Sequence, residues 1–372
     1  MAPRGGGQPP KRPPVVSVGA SRTYDLLAGL PVTVEGYGLE RLEQPYSDEF
    51  SRVTTVITLH GGGHDGIGED VCYDAIDHDR MQELGPIHRL DGRWSIDGFS
   101  DHLGTLELFS APPDWEAHHD YRRWGFESAA LDLALRQVGA PLTDVLDRAA
   151  SPLRFVHSRS LGNPPDATPV HRLIEQVPGI RFKLDADPEW SDELISDLAA
   201  TDRVDTVDLK GHYEGSIVDR GADPELYARI VAAFPDAWIE DPRLTEETRP
   251  VIEAVWDRVT WDAPLHRVAD IASLEVQPRA VNVKPSRFGR LAELCDVYDH
   301  LRDTRIGAYG GGQAELGPGR GQIQYLAAVF HPDAPNDVAP SAYNLPEQPE
   351  QLPSSPLAPA LSETGFHWAT DA

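Results

Sequence analysis

"IRFKLDADPEWSDELISDLAATDRVDTVDLKG", residues 180–211, holds two short apolar runs that end in polar side chains, with an amphipathic segment between them. "IRFKLDAD" and "DTVDLKG" have the length and the β-branched or aromatic content of buried strands. "SDELISDLAA" opens on a serine cap and two acids in its first turn, as a helix does. The stretch therefore reads as strand, helix, strand, the unit of a parallel sheet. The same rhythm recurs in "RFVHSRS", "AWIEDP", "VTWDAP", "AVNVKPS", "RIGAYGG" and "DVAPSAY". Taking Phe155, Lys183, Asp208, Glu240, Asp262, Lys284, Gly307 and Val338 as markers, the steps run from 22 to 32 residues. "SRFGRLAELCDVYDHLRD" shows the i, i+3, i+4 apolar stripe of an intervening helix. Eight repeats predict a closed (β/α)7β-type, TIM-like barrel over residues 151–344. A doubly wound open sheet is the alternative; it would carry a glycine-rich phosphate loop after its first strand, and "HSRSLGNPP" is not one.

With 372 residues the chain exceeds the size at which one core usually suffices. Residues 1–14 are rich in Gly, Pro and basic side chains and are expected to be a disordered tail. Residues 15–150 read as an α+β domain. "RVTTVITL" (52–59) alternates as a strand, and "HGGGHDGIGEDV" supplies a glycine turn with a second strand after it. "RRWGFESAALDLALRQVGAPLTDVLD" (122–147) has helical spacing and a Gly-Ala-Pro stop. Residues 345–372 are Pro-rich, but Leu361, Phe366 and Trp368 predict that this segment folds back on the first domain.

Composition excludes several function classes. There is no apolar run of the length of a membrane span and no signal-peptide stretch, so a soluble, cytoplasmic protein without a membrane partner is expected. A formal charge of −27 would repel a phosphate backbone, which speaks against nucleic acid as a partner. Cys72 and Cys295 are far apart in sequence and read as free buried thiols.

Of 33 basic residues only Lys11, Lys183, Lys210 and Lys284 are lysine. Three of these four stand at the ends of barrel runs. In a parallel barrel the C-terminal strand ends form one rim, where side chains from different strands converge. Five successive runs end in Lys183, Asp208, Glu240, Asp262 and Lys284, so three carboxylates are flanked by amines. Three carboxylates without Cys or His form a hard oxygen site suited to Mg²⁺; without a cation at least one of them would take up a proton. An amine pressed against a metal and a second cation can be brought toward neutrality and act as a base, which a guanidinium does not do. The pattern suits removal of a proton next to a substrate carboxylate and stabilisation of the enediolate.

These residues resemble the enolase superfamily, in its mandelate racemase/muconate-lactonizing branch, over roughly residues 20–345. "IRFKLD" resembles the branch's Lys-x-Lys strand with Arg181 in the first place, which implies that Lys183 is catalytic. Asp208, Glu240 and Asp262 match the three metal-ligand strands, and "VNVKPSRFG" is similar to the sixth-strand Asn-x-Lys segment, which implies that Lys284 is the opposed acid/base. "GFESAALDLALRQVGAPLTDVL" resembles the helix joining capping domain to barrel, and "GIGEDV" the Gly-x-Gly-Glu turn. The resemblance implies a Mg²⁺-dependent, homo-oligomeric enzyme acting on a small carboxylate as an epimerase or racemase, dehydratase, cycloisomerase or lyase. It also implies capping loops over the site, where "YGLERLEQPYSDEF" and "HGGGHDGIGED" fall. Lys210, Asn282, Gln313 and Glu315 are expected to contact substrate. The chain departs from the pattern at Lys210, which stands where the third strand normally has Asn, and at Ala263, where many members have an acid. The alternative class is a catalytically silent barrel kept as a binding or assembly protein; a metal-dependent aldolase or hydrolase would need a nucleophile or second metal site that the sequence does not offer.

Overall fold

The computed structural model describes residues 22–45, 51–213 and 219–368. The expected tail at 1–14 and the end of "YGLERLEQPYSDEF", residues 46–50, lie outside the described residues. β1 (Pro31–Val34) pairs with β5 (Gly92–Ser95), while β2 (Gly36–Pro45), β3 (Ser51–Gly61) and β4 (His64–Asp70) form an antiparallel meander. "YGLERLEQP" is thus strand rather than a free capping loop, because its residues pair one for one with the β-branched run of β3. The turn of "HGGGHDGIGED" is confined to Gly62 and Gly63, both at positive φ, and "GIGED" belongs to β4.

Gly66 and Gly68 serve close packing. A Cβ on Gly68 would lie 2.1 Å from the carbonyl oxygen of Gly125 on the long helix Ala117–Val138, and one on Gly66 would lie 2.3 Å from the Leu133 amide nitrogen. The meander therefore seats directly on the helix backbone. Gly68→Val is expected to cost about 1–3 kcal/mol through overpacking, read as a lowered melting temperature in calorimetry. The helix ends where the sequence places its stop, on Gly139 at φ 71°. The C-terminal segment meets this helix: Phe366 packs edge-on against Trp124, and its amide donates to Asp132. Among the described residues no helix is long and apolar enough to cross a membrane. Cys72 and Cys295 are free and buried.

The second half is an α/β barrel. β6 (His157–Arg159), β7 (Phe182–Asp185), β8 (Val204–Asp208), β9 (Trp238–Glu240) and β10 (Val259–Thr260) run parallel in sequence order. β11 (Ala280–Val283) and β12 (Gly307–Gly310) form a parallel pair beside them. Backbone hydrogen bonds complete the ring: Asn282 N donates to Trp261 O (2.9 Å), Asp337 N to Gly310 O (2.8 Å) and Val156 N to Asn336 O (2.8 Å). The eighth run is hydrogen-bonded into the ring without forming a regular strand. Its Asn336 side chain accepts from Gly310 N at 2.6 Å and donates to the carbonyls of Arg154, His331 and Ala334, so one amide ties the seventh, eighth and first staves together.

Candidate active site

The rim residues are where strand geometry puts them. Asp208 and Glu240 are paired across adjacent strands, Asp262 follows β10 by two residues, and Lys284 follows β11 directly. All five expected site residues, Lys183, Asp208, Glu240, Asp262 and Lys284, are buried. Each carboxylate is met by an amine. Lys183 Nζ bonds Glu240 Oε1 and lies 3.3 Å from Asp208 Oδ2. Lys210 Nζ bonds that same Asp208 oxygen and lies 3.1 Å from Asp185 Oδ1. Lys284 Nζ is 2.8 Å from Asp262 Oδ2. The second Glu240 oxygen accepts from the Tyr309 hydroxyl at 2.5 Å.

These contacts set the protonation states. Burial alone would lower the Lys183 ammonium, but the carboxylates of Glu240 and Asp208 outweigh it and hold the group well above the usual lysine range. This direction is opposite to the one expected for a base, because the carboxylates beside Lys183 outweigh the Lys210 ammonium that shares Asp208 with it. Burial likewise opposes the charge on Lys210, and Asp185 with Asp208 overcome it. Burial would raise both Asp208 and Asp262; Lys210 and Lys183 hold the first below the carboxylate range, and Arg287 and Lys284 the second. Glu240 behaves differently. Burial, with the charges of Asp208 and Asp262 behind it, pushes its carboxyl up to about 8 against the pull of Lys183. Of the three rim acids it takes a proton most readily, which is how a crowded anionic cluster relieves itself.

The remaining expected residues fall into two groups. Asn282 is buried beside Lys284, and both of its side-chain polar atoms lack a hydrogen-bond partner among the described residues. Gly311 lets the chain pass here, since a Cβ on it would lie 2.7 Å from Asn282 Oδ1 and 2.8 Å from Lys284 Cε. Gln313 and Glu315 are held by protein instead. The Gln313 side chain accepts from Tyr73 OH (2.9 Å) and donates to Tyr121 OH (3.0 Å), and Glu315 pairs with Arg320 at 3.2 Å. Glu69 of "GIGED" accepts from the amides of Leu316, Gly317 and Gly319, which locks the meander onto the loop after β12.

Sequence reasoning missed Arg287, Tyr213 and Tyr121. Arg287 is buried 3.5 Å from Asp262 Oδ1, and its Nη2 donates to the Tyr213 hydroxyl, which in turn donates to Asp262 Oδ2 at 3.2 Å. A signal was present, since Arg287 and Tyr213 each stand three residues beyond a rim lysine. Tyr121 carries no such signal because it arrives from the capping helix.

The donor chemistry of Asp208, Glu240 and Asp262 is that of a Mg²⁺ site, but their arrangement is not. Among the described residues the set of three His, Cys or carboxylate ligand atoms within 4.8 Å of one another is Asp74, Asp77 and His118, not the rim acids. Both oxygens of Asp208 and both of Glu240 are already engaged by protein donors. At the other cluster His118 Nε2 accepts the Tyr73 amide at 3.2 Å, so the ring proton sits on Nδ1, the nitrogen that faces Asp74 and Asp77. That nitrogen lies 3.7 Å from Asp74 Oδ2 and 3.5 Å from Asp77 Oδ2 without a hydrogen bond to either, and while it carries the ring proton it offers no lone pair to an ion.

The family model described as "Domain of unknown function (DUF8230) C-terminal domain" matches residues 149–345, and the corresponding N-terminal domain model matches residues 25–145. No curated protein matches the chain. Among solved structures, an enolase-superfamily member from Listeria innocua is 15% identical with a TM-score of 0.62, covering 85% of this chain and 88% of that one. A dipeptide epimerase from Methylococcus capsulatus, complexed with a Mg ion, is 17% identical with a TM-score of 0.60, covering 85% and 92%. The muconate lactonizing enzyme from Pseudomonas putida is 18% identical with a TM-score of 0.54, covering 80% and 83%. At such identities the likeness is one of fold.

Proposed function

Because the chain belongs to the DUF8230 family and has the enolase-superfamily fold, we propose that it is an enzyme that removes a proton α to a carboxylate and stabilises the enediolate, as an isomerase or lyase. The observation that carries this reading is the placement of Lys183 and Lys284. They stand on the second and sixth of eight staves, across the mouth from one another, with the three carboxylate staves between them. A substrate between two such amines can lose a proton on one face and receive one on the other.

The contacts divide the roles. Lys183 faces two carboxylates and keeps its proton. Lys284 shares Asp262 with the Arg287 guanidinium, so the anion beside it is already partly neutralised. In this reading the Lys284 amine takes the α-proton and becomes an ammonium; the C–H electron pair stays on the substrate as the enediolate. Lys183 then gives its proton to carbon, or to a leaving group, and becomes the amine. The orphaned amide of Asn282 beside Lys284 supports a substrate that bears a hydroxyl or amide next to the α-carbon, able both to donate and to accept. Mg²⁺ is given no step, since the rim acids that suit it chemically are spanned by ammonium groups.

The test is a screen of hydroxy acids, amino acids and dipeptides for α-deuteration in heavy water. An acid that exchanges with the parent should exchange at least ~10²-fold more slowly with Lys284→Ala at unchanged melting temperature. Equal rates in parent and variant would overturn the role of Lys284, and no exchange of any acid would overturn the reaction class.

A further inference from the structure

We infer that Lys210 takes the place of a divalent cation at this centre: its ammonium receives the substrate carboxylate, and the centre works without Mg²⁺. This rests on the proton-abstraction reading above and specifies its electrophile.

Four observations converge on Lys210. First, position: Lys210 Nζ bonds Asp208 Oδ2, the oxygen that also faces Lys183, so two amines occupy the space between the acids of the second, third and fourth staves. Second, charge: Lys183, Lys210, Lys284 and Arg287 already contact Asp208, Glu240 and Asp262. A doubly charged ion added here would be repelled by the ammonium groups of Lys183 and Lys210 and by the Arg287 guanidinium, in a site shielded from water. Third, access: the Lys210 side chain is 15% exposed, whereas that of Lys183 is 2% exposed, so Lys210 is the more accessible of the two ammonium groups on Asp208. Fourth, backbone: Lys210 has φ 52°, in the left-handed region that Asn adopts readily and Lys does not. Asp241 (φ 50°) and Ala314 (φ 53°) are held in the same region on the same rim. The position is therefore shaped for Asn, and lysine is kept there at a cost in backbone strain, which belongs with a chemical use of the amine.

A bound metal and a bound ammonium do the same electrostatic work on an enediolate, but they differ in what removes them. Isothermal titration of the full chain with Mg²⁺ alone is expected to give no binding in the parent. It is expected to reveal one site in Lys210→Asn, a substitution the backbone favours, at least ~10-fold tighter than any parent binding. Lys210→Met, which removes the charge without supplying an amide, is expected to fold, to bind no Mg²⁺ and to lose exchange of an acid that the parent deuterates. Parent exchange is expected to survive EDTA unchanged. One-to-one Mg²⁺ binding by the parent that disappears in Asp208→Asn would overturn the inference, as would a Lys210→Asn protein that gains no site, or a Lys210→Met protein that exchanges like the parent. Parent exchange that is lost in EDTA and restored by Mg²⁺ would overturn it while leaving the reaction class intact. If no acid exchanges under any condition, the reaction class fails, and the titration still decides whether Lys210 holds the place of the cation.

Discussion

Lys183→Met is expected to destabilise the protein by about 3–5 kcal/mol and to reduce α-proton exchange by about 10²–10⁴-fold. The stability effect follows from what the variant leaves behind. Lys183 is buried against Glu240 and Asp208, and removing one partner of such a cluster leaves desolvated anions without compensation. Asp208 keeps Lys210, so the loss falls on Glu240. That carboxyl already sits at about 8 with Lys183 in place, and without the amine its folded value rises further. Glu240 can therefore escape part of the penalty near neutrality by remaining protonated. A carboxyl raised above its unfolded value stabilises the fold below that unfolded value, and the benefit drains away as pH rises toward the folded one. The Lys183→Met protein should accordingly lose further stability between pH 6 and pH 9, which chemical denaturation across that range would read. Lys183→Arg separates charge from chemistry: it should recover much of the stability and little of the exchange, since a guanidinium does not release its proton. Full exchange in Lys183→Arg would remove Lys183 from the proton path.

Much of this centre was legible because a barrel converts sequence position into spatial position. Asp208 and Glu240 end strands whose side chains alternate strictly, so a charged residue at the last inward position has one place to go. The same logic located Lys183, Asp262 and Lys284. It says nothing about side-chain torsions, which is why the pairing of amines with acids, and with it the upward shift of Lys183, was not foreseen. It also treats each run as a stave whether or not it forms a ladder: the eighth enters through Asn336 and Asp337 rather than as a regular strand. The glycines of "HGGGHDGIGEDV" marked the turn and the strand after it, but not the contact that Gly66 and Gly68 make with the long helix. Glycine marks both turns and close backbone approach, and the partner that distinguishes the two here, Gly125 on the long helix, lies 57 residues beyond Gly68. Tyr121 shares that obstacle, since no local pattern tells a helix residue which distant loop it will touch.

The closure of the barrel carries the second large expectation, an acid lability centred on His331. This ring is buried between the seventh and eighth runs, with Nδ1 2.6 Å from Asn336 Oδ1 and Nε2 3.3 Å from the Tyr298 hydroxyl. The amide oxygen is an acceptor, so the proton sits on Nδ1 and Nε2 accepts from Tyr298; the neutral ring is fully satisfied. Burial pushes its pKa down to about 4, with the Asn336 contact opposing. The ordinary value is about 6.5, so below that pH the unfolded chain takes up a proton that the folded chain refuses. The unfolded state then binds more protons, and stability falls as pH falls, by up to about 1.4 kcal/mol per pH unit. Over the window from about 6.5 to 4 this amounts to about 3 kcal/mol. Glu240 and Asp241, raised to about 8 and about 6, work in the opposite sense over part of the same range, so the parent curve alone does not isolate the histidine. The difference from His331→Gln does. That variant should be less stable than the parent at pH 7, having lost a fitted ring beside Asn336, yet the gap should narrow by about 3 kcal/mol on acidification to pH 4. Parallel curves for the two proteins would mean that the folded ring accepts its proton as readily as the unfolded one, and that the His331–Asn336 contact does not depend on a neutral imidazole.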